Sequence, residues 1–175
     1  VTLAKNDYRF GQELDYTAIA TYASGIQKDI TTEIQFDDYN SMQIGNQTIS
    51  YSYSENLPDN PIEYTGEFNI TIWDYAIRID ISSPANKTVY EIGEEFDLTG
   101  LEIMVTYASG AVDTVTDRCV ISGFNSSIAG EQVIKCSYTQ FIEATNEDIE
   151  VTTSYTVIIK EVEFTAYLDK SNIEL

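Results

Sequence analysis

Histidine is missing from all 175 residues. Its absence excludes the Ser-His-Asp triad, the Cys-His nucleophile pair, the H-E-x-x-H zinc helix and every imidazole-ligated metal. Basic side chains are scarce: 9 Lys and Arg stand against 29 Asp and Glu, for a formal charge of −20. A surface that negative repels phosphate backbones and anionic lipid heads, so neither nucleic acid nor a membrane surface is an expected partner. Apolar runs are only a few residues long, which excludes insertion into a bilayer by an apolar helix. Disorder is excluded from the other side: hydrophobic residues make up 43% and the chain holds 13 Tyr. The length leaves room for one large domain or two small ones. Val1 rather than Met at the first position reads as a fragment or a processed chain, and no signal peptide is visible.

What is present is an internal repeat. Tyr22-Ala23-Ser24-Gly25 recurs as Tyr107-Ala108-Ser109-Gly110. At the same offset of 85, Ile34 matches Cys119, Phe36 matches Ile121, Tyr39 matches Phe124 and Gly45 matches Gly130. Asn40-Ser41 matches Asn125-Ser126, Ile49 matches Ile134 and Tyr53 matches Tyr138. Upstream, Tyr8 through Asp15 matches Tyr90 through Asp97 at an offset of 82. Downstream, Phe68 through Ile72 matches Tyr155 through Ile159. The two copies cover about 1–75 and 76–161. Residues 162–175 read as the start of a third repeat or as a C-terminal extension, because Lys170 through Leu175 resembles Lys87 through Ile92.

The hydrophobic period is two. Ile49, Tyr51 and Tyr53 alternate with Thr48, Ser50 and Ser52, and Ile134, Cys136 and Tyr138 alternate with Lys135 and Ser137. Val, Ile, Thr, Tyr and Phe dominate these runs, as half-buried pleated surfaces require. Ala108-Ser109-Gly110 reads as a hairpin turn, and Phe10 to Glu13 and Ile92 to Glu95 as a second pair of turns. No stretch has a helical period. In the second copy the strands are expected at 76–83, 87–92, 96–98, 101–107, 111–115, 119–122, 130–139 and 151–160. The fold class expected is all-β, as two tandem immunoglobulin-like β-sandwiches.

Lys87 to Glu94, Asp97 to Leu101 and Val105 to Gly110, continued by Ile121 to Ser127 and Ala129-Gly130, resemble bacterial Ig-like repeats of the group-three type. The first copy departs from that pattern: it lacks the Thr-Gly-Leu step and has Asp37-Asp38-Tyr39 where the second has Ser122-Gly123-Phe124. The resemblance implies an Ig-like sandwich found in tandem in bacterial surface and secreted proteins, an extracellular or cell-wall location, and no catalytic residues. The N-x-S/T sequons at Asn46, Asn69, Asn86 and Asn125 carry little meaning in such a source.

Both cysteines fall in the second copy, where Ile34 and Tyr51 stand in the first. The joint replacement predicts that the two positions touch. Cys119 and Cys136 then form a disulfide, whose 18-residue loop would contribute about 3 kcal/mol by chain entropy, or remain two buried thiols acting as small hydrophobes. Two thiols without imidazole are too few for zinc.

Aromatics matched between the copies are assigned to the framework. The unmatched ones, Tyr16, Tyr64, Trp73, Tyr75, Phe141 and Tyr167, are the candidates for contact with a ligand. Trp73 and Tyr75 sit where the copies join, so they are read as an inter-domain contact or as a stacking surface for a sugar. The join itself is only three or four residues, without Gly or Pro, which predicts an extended, semi-rigid rod. The acids at Asp37-Asp38, at Asp113 with Asp117 and at Glu143 to Glu150 fit no calcium loop and read as solvated surface. The last group is placed in a long connection before the final strand, as is Glu55 to Glu63 in the first copy. No metal, cofactor or catalytic pair is expected. The function expected is a non-enzymatic spacer or adhesion segment, whose partners are other domains of its parent chain and a host or glycan ligand. The alternative is a carbohydrate-binding accessory region of a secreted polysaccharide-degrading enzyme.

Overall fold

The computed structural model describes residues 1–55 and 62–161. Fifteen strands run through them: β1 (Thr2–Leu3), β2 (Asp7–Arg9), β3 (Tyr16–Thr17), β4 (Ile19–Thr21), β5 (Gln27–Asp29), β6 (Gln35–Asp37), β7 (Gly45–Glu55), β8 (Ile62–Trp73), β9 (Ala76–Ser83), β10 (Val89–Glu91), β11 (Glu102–Tyr107), β12 (Val112–Thr114), β13 (Cys119–Ser122), β14 (Gly130–Ile142) and β15 (Glu147–Lys160). No α-helix occurs among the described residues. Two short 3-10 turns, Thr31–Glu33 and Thr116–Arg118, sit at matched positions.

The described residues fall into two compact units. The first holds Val1–Ile77 with Thr106–Val112 and Gln140–Ile149; the second holds Arg78–Val105, Asp113–Thr139 and the described residues from Glu150. The first unit carries a four-stranded sheet in the order β2-β8-β7-β6 and the small sheets β1-β3 and β4-β5. In it β2 lies parallel to β8, with Tyr8 against Ile72, and β7 and β8 form a long antiparallel ladder. The strands of the second unit order as β10-β15-β14-β13 and β12-β11-β9. There β10 lies parallel to β15, with Tyr90 against Ile159. The four-stranded order β2-β8-β7-β6 is therefore repeated as β10-β15-β14-β13, whereas the smaller sheets differ.

Burial follows the period of two. In the first unit Tyr8, Ile49, Ile70 and Ile72 make one buried cluster, against which Leu3, Phe10, Leu14 and Phe68 pack. Ala18, Ile30, Ile34 and Tyr53 make another, backed by Tyr16, Phe36 and Tyr51. In the second unit Tyr90, Ile134, Val157 and Ile159 are the counterpart cluster. Burying an aliphatic side chain of this size is worth about 1.5–3 kcal/mol, so the clusters supply the main stabilisation.

The polar contacts repeat as well. The Tyr8 hydroxyl donates to the Asp15 carbonyl at 3.2 Å, and the Tyr90 hydroxyl to the Asp97 carbonyl at 3.1 Å. The ammonium of Lys5 lies 5.0 Å from the Tyr8 ring centre, and that of Lys87 lies 4.9 Å from the Tyr90 ring. Ala18 N–H donates to Thr31 Oγ1 at 2.9 Å, and Ile103 N–H to Thr116 Oγ1 at 2.8 Å. Gly11 N–H reaches the Ser41 carbonyl and Gly93 N–H the Ser126 carbonyl. Both expected turns form, closed by Gln12 N–H to Arg9 O and by Gly110 N–H to Tyr107 O.

Two expectations need correction. Residues 96–98 are not a strand. Asp97 N–H instead meets the Tyr90 hydroxyl at 3.4 Å, so a side chain holds that backbone in place of a neighbouring strand. Nor is there a long connection before the last strand. β14 runs to Ile142 and β15 starts at Glu147, with Asn146 at φ 53 in the turn. Asn adopts that left-handed conformation readily, so a tight turn replaces the loop, and Glu147, Asp148 and Glu150 lie on a strand. The expected third start and Tyr167 lie outside the described residues.

The first copy's departure at Asp37-Asp38 has a backbone cause. Asp38 has φ 67 and its counterpart Gly123 has φ 100. The site needs a left-handed residue, which Gly supplies without strain and Asp supplies tolerably. At Gly123 the space is closed too: a Cβ there would lie 2.3 Å from the Val133 carbonyl oxygen.

Candidate functional site

Trp73 ends β8, and Tyr75 lies in the two-residue connection between β8 and β9. Their rings meet edge to face with centroids 6.1 Å apart. The Arg9 guanidinium covers both, 5.3 Å from the Trp73 ring and 5.8 Å from the Tyr75 ring, and is itself paired with Glu147 at 3.1 Å. The Trp73 indole N–H is buried without a partner among the described residues. Between the two rings, Asp74 accepts from Tyr75 N–H at 3.0 Å, from Ser109 N–H at 3.1 Å and from the Ser109 hydroxyl at 2.5 Å. Gln140 accepts from Ala76 N–H at 2.7 Å and donates to the Asp74 carbonyl at 3.1 Å. All these residues belong to the first unit. With an arginine stacked on its rings, this cluster presents packing and hydrogen bonds, not an open aromatic platform.

Cys119 pairs across the ladder with Tyr138, and Cys136 with Ile121. The two thiols therefore lie on one face of adjacent strands, displaced diagonally by one pair, and both are free. Diagonal neighbours stand about 7–8 Å apart, against the roughly 4.4–6.8 Å between Cα atoms that a disulfide spans. Burial pushes both thiols above their ordinary pKa, so neither is activated as a nucleophile. Their counterparts Ile34 and Tyr51 share one cluster, as the joint replacement predicts.

A cavity of about 550 Å³ opens in the first unit between β4 and the β7–β8 ladder. Ile19, Tyr22, Ile34, Tyr53, Glu55 and Tyr64 are among its walls. Glu55 accepts from the Tyr22 hydroxyl at 3.0 Å and from the Tyr53 hydroxyl. Those bonds hold its carboxyl below the ordinary range and push both phenols above theirs. The ammonium of Lys28 joins at 3.3 Å from the Tyr53 hydroxyl and also pairs with Glu33. Among the described residues the cavity is lined by one carboxylate, that of Glu55.

The other sequence candidates scatter. Tyr16 is framework: its ring meets Phe36 at 4.7 Å and its hydroxyl donates to the Thr31 carbonyl. Tyr64 is exposed and stacks on Tyr53 at 6.4 Å, and Phe141 is exposed on β14. Asp113 pairs with Arg118, and no group of three acidic or thiol side chains suited to a metal occurs among the described residues.

One matched pair escaped the sequence reading. Gln47 accepts from Asn40 N–H at 3.1 Å and donates to the carbonyls of Asn40 and Gln43. Gln132 makes the same three bonds to Asn125 and Ile128. Gln47 and Gln132 share the offset of 85 and follow the matched Gly45 and Gly130 by two residues, the signal that was available.

Comparison with known proteins finds similarity to bacterial proteins. Over 174 aligned positions the chain is 30% identical to pectate lyase L of Thermoclostridium stercorarium, covering 91% of this chain, and it spans 13% of that protein's length. Since neither copy alone reaches 91%, the likeness takes in residues of both. A solution structure described as that of a candidate surface protein is 19% identical, with a TM-score of 0.26, covering 55% of this chain and 98% of that one, a likeness too slight to carry an argument. Residues 83–158, the segment with the parallel β10–β15 edge and the tyrosine-pinned loop, match the bacterial Ig-like domain (group 3).

Proposed function

We infer that the chain is a tandem pair of Ig-like β-sandwiches acting as a non-enzymatic spacer or adhesion segment of a bacterial cell-surface or secreted protein. One observation carries the reading: matched positions are spent on the same packing and the same loop-holding hydrogen bonds in both copies. Residues devoted twice to folding leave no shared catalytic set. The alignment with a small fraction of a much longer lyase supports an accessory segment beside other domains. The charge of −20 keeps such segments soluble and opposes self-association.

A second reading follows from the relative's name: an accessory region that binds a plant-wall polysaccharide beside a catalytic domain. Calorimetry of the purified chain with polygalacturonate, run with a pectate-cleavage assay, separates the two. The spacer reading expects no heat of binding and no cleavage. Binding abolished by Tyr64→Ala or Trp73→Ala would move the function to the second reading, and cleavage would overturn both.

A further inference from the structure

We propose that the two-residue link of Asp74 and Tyr75 is a lock: the Asp74 carboxylate and the Gln140 carboxamide close it onto the turn at 107–111, and link and turn open together in one step. Every residue involved lies in the first compact unit. A short link is not immobile by length alone, because exposed connections ordinarily give their backbone groups to water. Here protein takes them. Trp73 O accepts from Phe10 N–H at 3.0 Å, Asp74 O from the Gln140 side chain at 3.1 Å and Tyr75 O from Ala108 N–H at 2.9 Å. Tyr75 N–H donates to the Asp74 carboxylate at 3.0 Å, and Ala76 N–H to Gln140 at 2.7 Å.

The two copies set these side chains apart from the framework. The core tyrosines and the loop-holding glutamines recur, but Arg9 has Glu91 as its counterpart, Trp73 has Lys160 and Gln140 has Glu55. The shared fold therefore does not ask for them. At the centre an acid and a serine recur: Glu161 answers Asp74, and Ser24 answers Ser109. The surrounding residues are particular to this join.

The contacts are unequal in weight. The Arg9–Glu147 pair is half-exposed, so it adds little beyond shielding the rings that Arg9 covers. The Asp74 carboxylate gathers two N–H groups and a hydroxyl, and charge-assisted bonds of that kind are about twice as strong as neutral ones. Two of its three partners are on Ser109, in the turn. Gln140 reaches the link from β14 and bridges Asp74 O to Ala76 N–H. Three segments distant in sequence are thus tied at one point. The inference rests on the spacer reading for its use: a spacer carries load through its join, and this join lengthens only after both side chains release.

Amide exchange followed by NMR in the full chain tests the lock with Asp74→Ala and Gln140→Ala. Asp74→Ala quickens Tyr75 and Ser109 on any account, because their acceptor is gone. A lock also frees Ala76 and Ala108, which make no bond to that carboxylate; both are expected to exchange about 10- to 100-fold faster, the range for lost hydrogen bonds to a charged group. Gln140→Ala, which removes no bond of Ala108 or Ser109, is expected to quicken both of them. The slow amides of β7 and β14 should keep their rates in each variant. Ala76 and Ala108 unchanged in Asp74→Ala, or Ala108 and Ser109 unchanged in Gln140→Ala, would overturn the proposal. So would quickening that spreads to β7, since the loss would then be of the fold and not of a lock. None of these results bears on calorimetry with polygalacturonate, so the lock and the spacer reading fail separately.

Discussion

Tyr155 occupies the position of Phe68, and its hydroxyl is buried without a partner among the described residues. A hydroxyl taken from water without a hydrogen bond costs about 1–3 kcal/mol. The first copy solves the same packing problem with a ring that lacks the oxygen, so Tyr155→Phe removes the cost and little packing. We expect it to stabilise the second unit by about 1 kcal/mol, a rise of roughly 4–8 °C in the midpoint of a domain this size. Burial pushes the Tyr155 phenol up to about 12, with Cys136 and Tyr90 adding to the shift. Because this value exceeds the ordinary 10 of the unfolded chain, the group's contribution is intact below pH 10 and is lost as pH rises toward 12. The advantage of Tyr155→Phe over the parent therefore widens across that window. Calorimetric or urea unfolding at pH 7 and again above pH 10 measures both effects. A variant less stable than its parent at pH 7, or an advantage that stays flat above pH 10, would refute the reasoning. The reciprocal Phe68→Tyr is expected to destabilise the first unit.

Three further outcomes follow. Gln47→Ala leaves the Asn40 N–H and the Asn40 and Gln43 carbonyls without their partner and should cost about 1–3 kcal/mol in urea unfolding, as should Gln132→Ala. Gly123→Ala meets both a left-handed backbone and the Val133 carbonyl and should cost about 2–4 kcal/mol, whereas Asp38→Gly in the first copy should be neutral or stabilising; paired thermal melts decide. The non-reduced intact mass should equal the reduced mass, with both thiols titrating after denaturation; a deficit of two hydrogens would place a disulfide between Cys119 and Cys136.

The repeat was legible because folding demands that recur leave the same residues at the same spacing. Tyr8 and Tyr90 are one buried ring each with the same carbonyl partner, and the turns at Gly25 and Gly110 close the same way. Strands with clean alternation, such as 76–83 and 119–122, appear at the expected bounds. Extended chain that is not a ladder was harder to read: 96–98 has strand composition, yet the hydroxyl of a tyrosine seven residues earlier meets its backbone, a side-chain contact that strand alternation does not show. The hairpin at 143–146 was hidden because its acids look like loop, while strand pairing carries them to its edge. Trp73 and Tyr75 were singled out by being unmatched, but the Arg9 that covers their rings lies more than sixty residues away and has Glu91 as its counterpart.

Residue-resolved hydrogen exchange on the intact chain weighs the duplication directly. The account predicts that the slow amides of 47–53 and 69–72 recur at 132–138 and 156–159, matched position by position, because the same ladders bury them. Slow exchange confined to one copy, with the other exchanging like an open loop, would contradict it.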